Sequence, residues 1–475
     1  MIEGFAEVYG SLHQQFKGDL LCPSDSEYNA ARAVWNGMVS RYPRLIARCA
    51  DVRDVQNAVR ASSEAGILTA IRCGGHSLAG FGTCDGLVID LSRMREVKID
   101  PDKRRAWIAG GCLLGSIDMA TQKTGLVFPS GVVSHTGASG LILGGGTGWL
   151  TRRFGLSCDN VERFTLVTAD GFIVRADDKE NPDLFWALRG GGGNFGVVTE
   201  FKVRLHPLTS VVLAEGLCHV RHIRRLLERW REFMSDAPID LKWNIDLRLA
   251  PQSEKVPVEL WGQAVGSISL VWTGDHEACG PHFEPALSLC NRDSVHVKAV
   301  SFLNLQTMAD LDFPHGRRYY TKSGYFARLD DNTIDCLVDS ASNLPSSETR
   351  IELSYLAGTA AEVASIETAF GDRSAPFIIN LLANWSEPSA DVDNISWVRR
   401  IFEELRPAMK PGVYVNFMSG DEQDRVPEAY HERWDRMVAV KSHYDPGNFF
   451  RLNQNVPPRP PSPARPSALS NEPNS

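Results

Sequence analysis

The residues Arg72-Cys73-Gly74-Gly75-His76-Ser77 combine three features that chemistry can use. They follow an apolar run, Ile67 to Ile71, that reads as a strand. A strand entering a tight glycine turn leaves several backbone N–H groups pointing the same way, which makes a cradle for a phosphate or pyrophosphate. Arg72 adds positive charge, and Gly74 and Gly75 let the backbone approach a ligand. His76 then offers a ring nitrogen as a nucleophile at the mouth. A lone Gly-Gly-His tripeptide is equally a surface turn, so the rest of the chain must decide.

A second stretch, PSGVVSHTGASGLILGGGTGWLTRRFG (129–155), has seven glycines between Gly131 and Gly148. Each would weaken a helix or strand by roughly 1 kcal/mol. Leu141, Ile142, Leu143, Trp149 and Leu150 are nevertheless too apolar for a floppy linker. A packed surface without side chains, laid against a flat ligand, accounts for both facts. A third glycine run, Gly190 to Gly196, contains the spacing GxGxxG. The dinucleotide fingerprint needs a strand before those glycines and a helix after them. Here helix-like 182–189 precedes and strand-like 197–203 follows, which rejects that reading.

The elements that must position these loops read as follows. Arg44–Arg48 is a strand, Asp51 caps a helix from Val52 to about Ala65, and Gly66 stops it before the 67–72 strand. Strand, helix and strand in about thirty residues form an α/β unit. Residues 86–91 are a buried strand, 97–100 and 105–111 a hairpin, 113–124 a helix, and 161–174 a second strand pair. Beyond His206, strands at 211–213, 267–272, 351–355, 377–382 and 413–417 alternate with one-sided helices. One of these carries Ile223, Leu226, Leu227, Trp230 and Phe233; another runs from Ser396 to Leu405. This describes an α+β unit with helices over one sheet face. Residues 428–442 are helical and 444–448 a turn.

The 475 residues, 43% apolar and 23% charged, suit a soluble chain of two or three domains. A net charge of −8 points to neither nucleic acid nor anionic membrane. No segment reads as a signal peptide or bilayer span. The ten cysteines form no CxxC pair and no Cys/His set at zinc spacing, so no metal ligand is named and the cytoplasm is the expected compartment. There is no P-loop, HExxH or GxSxG.

Four motifs occur in order: RCGGH, SHTGASGLILGGGTGWL, LRGGGGNFGVVTEF and YDPGNFFRLNQN. Together they resemble the berberine-bridge-enzyme-like FAD-linked oxidases of the vanillyl-alcohol-oxidase superfamily, and within them the bacterial branch that includes 6-hydroxy-D-nicotine oxidase. The resemblance covers roughly residues 40–456. It implies an α+β fold of two domains: a PCMH-type FAD-binding domain over 1–208 (core about 40–208), an inserted substrate domain over 209–419, and a segment 420–456 returning to the first, before a disordered Pro/Ser-rich tail at 457–475.

The resemblance further implies FAD joined through its 8α-methyl to His76. Cofactor contacts are expected from Arg72, Cys73, Gly74, Gly75, Ser77 and Gly82. The glycine-rich stretch adds Ser134, His135, Thr136, Gly137, Ser139, Gly140, Gly144, Gly145, Thr147 and Gly148. Val197 and Val198 would meet the adenine end, and Asn453 and Asn455 the isoalloxazine. Bicovalent members place a second flavin-linked cysteine in a CPxxG run; that position is Val133, so one link is expected. Thr136 falls where the family controls oxygen access.

For catalysis, Tyr414 and Asn416 match the family's YxN strand, with Tyr414 as base. Tyr320 and Lys322 resemble a second pocket strand, Lys322 being the cation that would activate a phenol of ordinary pKa about 10. The implied reaction is removal of a hydride from a small alcohol, amine or sugar, with O2 as acceptor and H2O2 as product. The alternatives are a dehydrogenase with another acceptor, an oxidative cyclase, and a flavin-binding protein without turnover. A monomer or homodimer acting on small molecules is expected.

Overall fold

Parallel strand pairing between Leu45 and Arg72 sets the first layer. In the computed structural model, which describes residues 3–460, strands Leu45–Arg48 and Thr69–Arg72 both pair in parallel with Leu87–Asp90. Asp19–Leu21 adds an antiparallel edge, giving a four-stranded sheet. The helix Val52–Glu64 crosses between the strands. Its N-cap is Asp51, whose carboxylate accepts from the backbone N–H groups of Arg53 and Asp54. Val55, Ala58 and Val59 bury its apolar stripe against Leu45, Leu87 and Ile89.

A second, antiparallel sheet of five strands is built from the hairpin Val97–Asp100 and Arg105–Ala109, the long strand Val197–Arg204, and the pair Val161–Val167 and Ile173–Ala176. The helices Leu114–Gln122 and Pro182–Leu188 contribute to its core. The final helix Trp434–Tyr444 inserts Met437 and Val440 into the same core. The 190–196 glycine run indeed sits after a helix and before a strand.

From Ser210 onward a seven-stranded antiparallel sheet dominates, in the order His296–Ser301, Ser210–His219, Ala264–Trp272, Leu241–Leu249, Arg350–Tyr355, Phe377–Trp385 and Arg318–Phe326. Helices Ile223–Met234, Asp331–Ala341 and Asp391–Leu405 cover one face, packing Trp230, Leu337 and Ile401 onto Trp243, Ile351 and Leu381. The other face is polar. The strand Leu241–Leu249 reads LKWNIDLRL: Leu241, Trp243, Ile245 and Leu247 enter the helix-covered core, whereas Lys242, Asn244, Asp246 and Arg248 line a cavity.

Two expectations change here. Residues 413–417 form no strand; Val415–Phe417 is a 3₁₀ turn, so Tyr414 and Asn416 approach the glycine-rich loop from a bend rather than a sheet. The helix foreseen from Ser396 starts earlier, at Asp391. The proposed tail lies outside the described residues from position 461 onward.

Candidate active site

A cavity of about 550 Å³ lies between the two glycine-rich loops and the polar sheet face. The cradle Arg72 to Ser77 forms one wall. It turns where it does because Gly75 sits at φ +69°, in the left-handed region. Gly74 lies back to back with Gly137: a Cβ on either would fall 2.3 Å from the other's backbone nitrogen. The two loops are therefore locked together by the absence of side chains. Gly82, Thr136, Gly137, Ser139, Gly140, Thr147, Gly148, Val198 and Asn453 also line the cavity, with Tyr414 and Asn416.

Six expected contacts do not reach it. Ser134 gives its backbone N–H and hydroxyl to the Asp310 carboxylate, at 2.8 and 2.6 Å. His135 stands behind His76. Gly144 abuts the Asn416 side chain and Gly145 the Phe370 ring. Val197 is buried among Val167 and Phe450, and Asn455 also stands outside the lining. Arg72 lines the cavity; its Nη2 is 2.6 Å from Asp90 Oδ2, both buried, while its Nη1 has no partner among the described residues.

His76 is held on three sides. Its ring stacks on Trp35 with centroids 5.0 Å apart. Nε2 is 2.7 Å from His135 Nδ1, and Nδ1 is 3.4 Å from Thr136 Oγ1. Burial, then the neighbouring imidazoles of His135 and His315, push its pKa well below the ordinary value, so the ring is neutral with a lone pair at pH 7. Val133 also lines this wall, so the position expected to carry a second linking cysteine holds a valine.

The Tyr414 hydroxyl accepts from the Gly146 N–H at 3.0 Å and from Asn416 Nδ2 at 2.9 Å. Asn416 in turn donates to the Leu141 carbonyl. Burial raises the phenol to about 12, against the hydrogen bonds that favour its ionised form.

The expected second pocket strand is corrected. Along Arg318–Phe326 alternate residues face opposite ways, and Tyr320 and Lys322 take the helix-covered side. The Tyr320 hydroxyl bonds Asp421 and Arg399 at 2.8 and 3.0 Å. Lys322 Nζ lies over the Phe402 ring and 3.2 Å from Glu422. Lys322 activates no phenol at Tyr414. Its neighbour Thr321 faces the cavity side and donates to Asn380.

What the sequence reading missed is the charged cavity floor. Asn380 Nδ2 donates to Glu352 Oε2 at 2.8 Å. Arg350 Nη1 lies 2.7 Å from Asp312 Oδ2 and 3.9 Å from Asp246 Oδ2; Arg248 Nη1 is 3.1 Å from the same Asp312 oxygen. Desolvation, and then the charge of Asp246, push the Glu352 carboxyl up to about 7. Lys242, which donates to the Tyr355 carbonyl at 3.1 Å, is brought down to about 7 by burial and Arg152. The signal was present: in LKWNIDLRL and RIELSY every second residue is polar.

The residues present fit FAD. A Cβ on Gly140 or Gly193 would meet nothing within 4 Å and both positions line the cavity, so a flat group can lie against bare backbone there. The buried carbonyl oxygen of Asn453, which lines the cavity, has no partner among the described residues, as expected of a group that awaits a ligand.

Comparison with known proteins agrees. Residues 43–177 match the FAD binding domain family, and 413–457 the family described as berberine and berberine like. The chain is 30% identical over 457 residues to the FAD-linked oxidoreductase YgaK of Bacillus subtilis, covering 93% of this chain and 97% of the relative. It is 29% identical to (R)-6-hydroxynicotine oxidase of Paenarthrobacter nicotinovorans over 462 residues, 93% and 97% of the two chains. The solved 6-hydroxy-D-nicotine oxidase of Arthrobacter nicotinovorans superposes with a TM-score of 0.81 at 26% identity, covering 94% of this chain and 99% of that one.

Proposed function

We propose that this chain, which belongs to the berberine-bridge-enzyme-like family of FAD-linked oxidoreductases, oxidises a small polar alcohol or amine and passes the electrons to O2, giving H2O2. Bound FAD would supply the acceptor for the substrate's hydride. The cradle N–H groups of residues 73–77 would hold its pyrophosphate, Gly140 and Gly193 would lie along it, and His76 would carry it covalently through a single link. A neutral, buried imidazole supports that last role.

The observation that carries the substrate reading is Glu352 on the cavity floor. Its carboxyl, pushed up to about 7 by desolvation and the charge of Asp246, lines the cavity, and Asn380 donates to one of its oxygens. A group of that proton affinity can accept the proton of a substrate O–H or ammonium at pH 7. Tyr414, raised to about 12, keeps its own proton and serves as an orienting hydroxyl fixed by Gly146 and Asn416. Asp246, Arg350 and Asn244 supply further polar contacts. They favour a substrate with hydroxyl or charged groups over the large apolar precursor of an oxidative cyclase.

Thr136, small and at the cavity wall, leaves room for O2 beside the cofactor and supports an oxidase. The ten unpaired cysteines suit a reducing compartment and so favour the cytoplasm, where a monomer or homodimer is expected. No helix among the described residues is long and apolar enough to cross a membrane. The test is a screen of polar alcohols, amines and sugars, with peroxide release and dye reduction measured in parallel. Peroxide formed at the rate of substrate loss supports the oxidase; turnover with dye alone assigns a dehydrogenase; a yellow protein inert to all acceptors overturns the enzymatic reading of this cavity.

A further inference from the structure

We propose that His76, His135 and His315 form a binding site for one divalent transition-metal ion. The three come from segments far apart in sequence: the cradle, the glycine-rich loop, and the Pro314-His315-Gly316 turn ahead of the strand Arg318–Phe326. One ring nitrogen of each lies within 4.8 Å of the others. The His135 and His315 ring centroids are 4.8 Å apart, and those of His76 and His315 5.4 Å.

Three neutral imidazoles suit Zn²⁺, Cu²⁺ or Ni²⁺, with a fourth position left for water. Metal–nitrogen bonds of about 2.0–2.1 Å in a tetrahedron put the nitrogens about 3.3 Å apart. His76 Nε2 and His135 Nδ1 stand at 2.7 Å. A rotation that opens this pair by about half an ångström, with the exposed His315 swinging in, meets that spacing.

The surroundings match a metal-binding histidine as well. The Asp310 main chain is within hydrogen-bonding reach of the His135 ring. An outer partner of this kind fixes which nitrogen faces the ion. The Asp310 carboxylate, held by Ser134, adds negative charge nearby. His135 and His315 do not line the 550 Å³ cavity, so the ion would sit behind the His76 wall and leave the substrate space open. It would tie the two loops of the cofactor side to the 310–316 segment. A flavin link through Nδ1 of His76 leaves the Nε2 lone pair for the ion, and an unlinked His76 offers the same nitrogen in its Nδ1–H tautomer.

The experiment is titration of the untagged full chain, freed of metal by chelator dialysis, with Cu²⁺ followed by electron paramagnetic resonance and with Zn²⁺ followed by calorimetry. One ion per chain with nitrogen hyperfine structure is expected. His315→Ala and His135→Ala should each weaken binding about tenfold or more, while His443→Ala, an exposed histidine elsewhere, leaves it unchanged. The flavin spectrum of His315→Ala reports that the fold and cofactor site persist. Substoichiometric binding, a spectrum without nitrogen coupling, or equal affinity in wild type and His315→Ala overturns the proposal.

Discussion

Asn416 donates its side-chain amide to the Tyr414 hydroxyl at 2.9 Å, two residues away along a 3₁₀ turn. The same hydroxyl takes the Gly146 N–H at 3.0 Å, so one oxygen joins the C-terminal segment to the glycine-rich loop. Tyr414→Phe removes the acceptor and leaves a buried N–H unpaired, at about 1–3 kcal/mol. The expected result is a lower melting temperature and a kcat/KM reduced by about tenfold to a hundredfold, below the roughly 10²–10⁴-fold that a proton-transferring group supplies, because this hydroxyl orients and keeps its proton. Asn416→Ala leaves the hydroxyl in place and should cost less activity. Equal kinetics in wild type and Tyr414→Phe would remove Tyr414 from the site.

His76 and His135 share one hydrogen bond between neutral rings, so one must donate. When His135 accepts, His76 carries its proton on Nε2 and its Nδ1 keeps a lone pair for a covalent bond. His76→Ala should bind FAD yet release all yellow colour to the supernatant on acid precipitation, whereas wild type keeps it in the pellet. Colour lost from the wild-type pellet shows a noncovalent cofactor.

The sequence made the cradle legible because its residues act through the backbone. Gly74, Gly75 and Gly137 cannot serve a side-chain purpose, and their crowding in short stretches pointed to a close approach; in the structure Gly74 and Gly137 meet so closely that neither has room for a Cβ. Tyr320 and Lys322 misled for the opposite reason. Their chemistry is visible in the letters, but their use depends on which face of the strand Arg318–Phe326 meets the helix Asp391–Leu405, and period-two alternation alone does not name the covered face. Glu352 was hidden in the same way, although its strand was foreseen. The His76, His135 and His315 cluster lies beyond spacing arguments altogether, since three separate loops bring it together.

If Glu352 accepts the substrate's proton, stability and activity should move in opposite directions with pH. Its folded pKa, about 7, stands above the ordinary carboxyl value of 4.5. Between those values the folded state binds the proton more often than the unfolded chain, so stability falls as pH rises through this window. Activity that requires the ionised carboxylate rises over its upper end. Glu352→Gln should therefore raise the melting temperature at pH 8, change it little at pH 4.5, and flatten the rise of kcat/KM around pH 7. A wild-type limb that survives intact in Glu352→Gln assigns the proton acceptor elsewhere, with Lys242 next in line.

Lys441 and Asp445 form an ion pair of 2.6 Å in which neither side chain has any exposure. Lys441 Nζ also donates to the carbonyls of Asn194 and Phe450, at 2.7 and 2.9 Å. The Asp445 carboxylate takes the N–H groups of Phe449 and Phe450, both at 2.8 Å. This one cluster therefore fixes the 190–196 glycine run and the turn leading to Asn453, whose amide donates to Gly193 at 3.1 Å. Removing one partner leaves the other charge buried and unpaired, a loss of about 3–5 kcal/mol. Lys441→Met should lower the melting temperature sharply and, in protein that still folds, reduce the FAD content per chain, measured by the ratio of flavin to protein absorbance. Asp445→Asn leaves the Lys441 charge buried without its partner and sets an amide NH2 against one of the Phe449 and Phe450 N–H groups, so its loss should be comparable in both readouts. Full FAD occupancy in a Lys441→Met protein that has lost stability would show that the cluster supports the fold but not the cofactor loop.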